Sequence, residues 1–163
     1  MKSYDRLFGS GPLGLVLSVV LFVIAVLLKD KISLPNIFSN SLVIYTIFVL
    51  NTFLCLTLAF WGFKSLSPVD RGKKLCTSGA FKYFRHPLYA SFLSFFDFGF
   101  AVLLNNYIYV IWALLMLPMW HWIIAKEEKL MLQEFQGDYK AYCARTGRFF
   151  PKPIVLKSWV DSR

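Results

Sequence analysis

Apolar residues in this chain fall in long unbroken runs, not in stripes at helical or strand spacing. Four runs, 11–28, 41–63, 87–104 and 107–125, reach the roughly 17 to 25 residues that a helix needs to cross a bilayer. A lipid-embedded segment must satisfy its backbone hydrogen bonds internally, so each run predicts a helix. The pattern predicts an all-α fold: a multi-pass bundle of four transmembrane helices forming a single membrane domain over 1–163. The first run is preceded by Lys2 and Arg6, as in a signal peptide. No small-x-small cleavage site follows it, and "LLKDKISLP" reads as the polar exit of a retained helix. Pro35 and Asn36 mark a modest first loop. Asn105 and Asn106 make up the whole third connection, which predicts a tight antiparallel hairpin of helices 3 and 4. Beyond 125, Leu130, Met131 and Phe135 stand among charges, predicting a helical segment that leaves the membrane and lies against it. Gly137 and Gly147 mark expected breaks.

Composition agrees with this reading. Of 163 residues 57% are hydrophobic and only 17% charged, with a mean hydropathy of +0.55; soluble domains carry about 25% charged residues. The basic residues set the expected orientation. Lys64, Arg71, Lys73, Lys74, Lys82 and Arg85 crowd the second loop against Asp70 alone. Lys126, Lys129, Lys140, Arg145, Arg148, Lys152, Lys157 and Arg163 follow helix 4, while the third loop carries no charge. The positive-inside rule then places both termini and the 64–86 loop in the cytoplasm. Topology and contact with anionic membrane lipids account for the net charge of +9, so no nucleic-acid partner is implied. Cys55 falls in mid-membrane and Cys76 and Cys143 on the reducing side. No two cysteines have the spacing of a metal clip, so structural roles and no metal are expected.

Polar residues gather at the cytoplasmic ends of the hairpin. Pro87 suits the first position of helix 3, which puts His86 near its N-cap, where free amide groups attract anions. His121 and Glu128 are seven residues apart and share a face of helix 4 if it runs unbroken; His86 and Asp97, eleven apart, share one of helix 3. Asp97 is the sole charged residue inside the four runs, and is expected to face the bundle and be paired. Taken singly these residues leave plain alternatives open. Arg85 suits a topology flank, Glu127 and Glu128 a solvated face, and Tyr89 an interfacial aromatic. His121 suits an interior cluster with Trp120 and Trp122, and Asn51 an interhelical hydrogen bond.

The order of the pieces narrows the choice. "TSGAFKYFRHPLY", a hairpin, then "EEKLMLQEFQGDYKAYCARTGRFFP" resembles the isoprenylcysteine carboxyl methyltransferase and phospholipid N-methyltransferase superfamily. The resemblance runs from near Pro68 to Pro151 and rests on Gly79, Phe81, Arg85, His86, Pro87, Tyr89, Glu127, Glu128, Leu130, Phe135, Tyr139 and Tyr142. Ala80, Gln136 and Gly147 depart from it, the last two standing where Gly and Pro are usual. The resemblance implies S-adenosylmethionine as cofactor, held within about 77–151. Glu127 or Glu128 would take the ribose diol, Arg85 and His86 the α-carboxylate, and Tyr89 the sulfonium. Gly79, Phe81, Pro87 and His121 complete the implied cofactor site, with Arg85 and Glu128 as the catalytic positions. The implied acceptor is a lipid or lipidated molecule arriving from the membrane, either a prenylcysteine-type carboxylate or a phospholipid amine. An NADPH-binding protein of the sterol-reductase type, normally a much longer chain, and a non-catalytic scaffold of the same fold are the alternatives. Acceptor, membrane and oligomeric state stay open.

Overall fold

The computed structural model describes residues 10–66 and 74–153. Lys2 and Arg6 ahead of the first run, and Asp70, Arg71, Lys73, Lys157 and Arg163 of the orientation argument, lie outside the described residues. Among the described residues the fold is all-helical, without a strand. Helix α1 spans Gly11–Lys29, α2 Ser41–Ser65, α3 Pro87–Leu103 and α4 Tyr107–Arg145. Helices α1, α2 and α4 are long and apolar enough to cross a membrane; α3 is a shorter apolar helix. Much of the apolar surface faces outward, with Leu42 72% and Phe60 68% exposed. A patch of that extent marks a surface made for lipid.

Local chemistry sets the helix starts. Asn40 and Asn106 cap α2 and α4 by accepting the amides of Leu42 and Ile108, at 2.9 and 3.0 Å. His86 is the N-cap residue of α3, with Pro87 opening its first turn. The Asn105–Asn106 pair also reaches beyond its own turn. Asn105, at φ 50°, occupies the left-handed region that Asn tolerates. Its Oδ1 accepts from the amides of Ile37 and Phe38, and its Nδ2 donates to the Phe38 carbonyl. Asn106 Nδ2 donates to the Leu34 carbonyl at 2.8 Å. Two residues expected only to turn the chain also tie the hairpin to the α1–α2 loop.

The core lies along α3 and α4, where Leu93, Ala101, Ala113 and Ile124 are buried. Helix α2 comes close to α3 at Gly99, where an added Cβ would stand 2.7 Å from Asn51 Cβ. Asn51 does not make the expected interhelical bond. Its Nδ2 donates to the Ile47 carbonyl one turn back in α2, at 2.9 Å, the nearer acceptor where helices meet through small groups. The expected tryptophan cluster also divides: Trp120 is 9% exposed and Trp122 73%, because residues two apart face different sides of a helix.

Two irregularities reshape the helices. Phe92–Phe96 forms a π-helical turn within α3. An added residue turns the helix face by about 100°, so His86 and Asp97 lose the common face that unbroken spacing gives them. Asp97 is buried inside the bundle as expected, but its Oδ2 has no hydrogen-bond partner, so the expected pairing does not form. In α4 the break falls at Gln136, at φ 42° and ψ −116°, one residue before Gly137. The helix then resumes to Arg145, and Thr146 is its C-cap residue.

Candidate active site

Glu128 sits at the centre of a buried ion cluster. Its Oε1 accepts from Arg85 Nε at 2.8 Å and Arg148 Nε at 3.1 Å, and lies 3.3 Å from His86 Nε2. Its Oε2 accepts from Arg148 Nη2. Side-chain exposure across the four groups is only 10–21%. Burial opposes ionisation of Glu128, but hydrogen bonds from His86, Arg148 and Arg85 outweigh it and hold the carboxyl well below the usual carboxylate range. Two guanidinium groups against one carboxylate leave the cluster with an excess of positive charge.

Three pieces of chain build this cluster. The hairpin supplies Arg85 and His86 at the start of α3 and Glu128 in α4. The third is the segment after α4, which folds back against the entry to α3. Gly147 bridges Phe84 in parallel register; the amides of Arg85 and His86 donate to the carbonyls of Gly147 and Arg148, at 2.8 and 3.3 Å. Only glycine fits at 147, where an added Cβ would stand 1.7 Å from the Phe150 carbonyl oxygen. Arg85 Nη1 donates to the carbonyls of Thr146 and Cys143, at 2.7 and 3.3 Å. Arg148 Nη1 donates to the His121 carbonyl. Phe149, buried in the core, packs edge-on against the His121 ring.

The remaining expected residues divide between scaffold and site. Gly79, at φ 56°, begins a short 3₁₀ turn, Gly79–Lys82, and an added Cβ there would meet Ser65 Oγ at 2.2 Å. The Phe81 carbonyl accepts from the Tyr142 hydroxyl at 2.7 Å, and burial raises that phenol's pKa, keeping it a neutral donor. Pro87 is buried. Tyr89 stacks on His86, with centroids 5.7 Å apart and planes at 22°, and its other neighbour is Trp120 at 4.8 Å. Glu127 is less engaged than Glu128, its Oε2 accepting from the Ser10 amide at 3.4 Å. His121 does not reach Glu128 despite the shared face. Its ring is exposed, Nδ1 lies 2.8 Å from the Leu117 carbonyl, and its link to the cluster is its own carbonyl.

A family model, the isoprenylcysteine carboxyl methyltransferase (ICMT) family, matches residues 42–133. The chain belongs to this family. The match takes in nearly all of α2, the α3 entry with Arg85 and His86, and both glutamates. It ends before Arg148, the cation that sequence reading counted only as a topological charge. The one hint of its role is the neighbouring Gly147, read as a break. Membership implies a membrane methyltransferase. No curated protein gives a significant match.

Proposed function

We propose that the chain is an S-adenosylmethionine-dependent methyltransferase acting on a lipidic acceptor that enters from the bilayer. The observation that carries this reading is the excess of positive charge around Glu128, placed beside the His86–Tyr89–Trp120 aromatic stack. The donor set suits the cofactor. Two guanidinium groups and the N-terminus of α3 suit an α-carboxylate, and an aromatic stack suits a sulfonium, by contacts worth about 0.5–2 kcal/mol. When bound, S-adenosylmethionine supplies an electrophilic methyl group.

The two glutamates take different parts. Both oxygens of Glu128 are engaged, so it positions Arg85 and Arg148. Glu127, with one long contact among the described residues, has acceptor capacity left for a ribose diol. Gly79, Phe81 and Pro87 hold the entry turn, and His121 acts through its carbonyl. The chain's remaining work is to align the acceptor and keep water out. The acceptor reading keeps a prenylcysteine-type carboxylate, the group the family description names, and a phospholipid amine reaching the site by the same route. We place the site within 77–151 of one membrane domain. In this reading α3 is a fourth crossing and both termini lie in the cytoplasm.

Calorimetric titration of the purified protein with S-adenosylmethionine tests the reading. Arg85→Ala and Glu127→Gln each remove a charge-assisted contact of about 1.5–3 kcal/mol and weaken binding roughly tenfold to a hundredfold. A folded parent that does not bind S-adenosylmethionine, or variants that bind like the parent, would overturn it.

A further inference from the structure

Helix α1 lies ahead of the matched residues, yet its first two turns press on the candidate site. Gly11, Gly14 and Ser18 share one face of α1. The indole of Trp120 is held against that face at two points. Its Nε1–H donates to Ser18 Oγ at 3.1 Å. Its six-membered ring lies over Gly14, where an added Cβ would stand 2.6 Å from Trp120 Cζ2. The Ser18 hydroxyl commits its own proton to the Gly14 carbonyl at 2.7 Å, which leaves a lone pair for the indole. Trp120 in turn packs on Tyr89, with centroids 4.8 Å apart, and Tyr89 stacks on His86. Gly11 stands beside the Tyr89 hydroxyl, 3.4 Å from where a Cβ would lie. Ser18, Tyr89 and Trp120 also line a cavity of about 380 Å³ between α1, α3 and α4, within the size range of small-molecule sites.

We propose that Ser18 is a positioning residue of the cofactor site. Through the Trp120 Nε1–H it sets the indole against Tyr89, and so shapes the aromatic surface that meets the sulfonium. Gly14 leaves the ring its room. The inference rests on the methyltransferase reading and adds α1 to its site. An indole N–H can only donate, so loss of the Ser18 oxygen leaves it without that partner and frees the ring to turn towards another. A cation is held best over the face of an aromatic ring, and a turned ring loses that alignment. The charged contacts of the cofactor are separate. They fall to Arg85, Arg148 and Glu127, whose hydrogen bonds run to other residues than Ser18. Loss of the Ser18 hydroxyl should therefore act on the positive charge of the sulfonium and spare the rest of the ligand.

The test titrates the full chain in detergent with S-adenosylmethionine and with S-adenosylhomocysteine, which lacks the methyl group and the positive charge. The ratio of the two affinities reads sulfonium recognition. Ser18→Ala should lower that ratio about threefold or more, with S-adenosylhomocysteine bound as by the parent. Ser18→Thr should keep the parent ratio, since its hydroxyl can bond the same carbonyl. Ser18→Val, which matches Thr in shape without the hydroxyl, should fall like Ser18→Ala, and carries the test if Ser18→Ala does not fold. In a Trp120→Phe background, which has no indole N–H, Ser18→Ala should change nothing further. Thermal melts establish that each variant is folded. A parent-like ratio in the folded variants, an equal loss for both ligands (helix packing alone), or a further fall in the Trp120→Phe background would overturn the proposal alone. A folded parent that binds neither ligand would overturn the methyltransferase reading and this inference with it.

Discussion

Glu128 accepts hydrogen bonds from two arginines and lies within reach of His86, and its replacement should be felt first in stability. Glu128→Gln leaves Arg85 and Arg148 facing each other without a counter-charge, and removing one partner of a buried ion pair costs about 3–5 kcal/mol. A clear fall in Tm is expected, measured by thermal unfolding in detergent. Its pH dependence follows from the lowered pKa of the carboxyl. A depressed carboxyl stabilises the fold above its unfolded value, about 4.3, and that stabilisation is lost as pH falls through the folded value. The parent should therefore lose stability on acidification below about pH 4.3, and Glu128→Gln should lose less. Arg85, His86 and Glu128 were legible in the sequence because a two-residue turn forces the hairpin ends together. Arg148 was not. Its place depends on a non-periodic segment folding back past Gly147, and no spacing rule reaches across such a turn.

The helix starts were legible to the residue and three of the four ends within two residues, since apolar run length and lipid thickness set those bounds, whereas α4 continues past 125 to Arg145. Their irregularities were not. The π turn at Phe92–Phe96 lies in a stretch of Phe, Leu and Ser with no breaker, so it is decided by packing. It undid the shared face inferred for His86 and Asp97. The α4 kink was half legible: Gly137 was read as a break, but the strained residue is Gln136, at φ 42°. Gln136 stands where the family pattern has glycine, and a non-glycine residue held in a sparsely populated region costs about 1–3 kcal/mol. Gln136→Gly should raise Tm, by an amount corresponding to about 1 kcal/mol after glycine's larger unfolded-state entropy is offset. An unchanged or lowered Tm would show that the kink is not strained.

At the scale of the whole molecule, the exposed apolar faces of α1 and α2 and the basic loop and tail together favour one orientation in the bilayer. The asparagine contacts put the α1–α2 loop beside the hairpin turn, so Ser33 reports on that end of the bundle and Lys140 on the other. In a background lacking Cys55, Cys76 and Cys143, Ser33→Cys should react with an impermeant maleimide in sealed vesicles that keep the cytoplasmic face inside. Lys140→Cys should react only after permeabilisation. The reverse pattern would overturn the proposed orientation. The segment that folds back after α4 also bears on biosynthesis. A ribosome makes Arg85 and Glu128 well before Arg148, so a nascent hairpin already inserted in lipid holds its buried acid with one arginine fewer. Until the last turn of chain emerges, the newly made protein should be the form most open to proteases and chaperones.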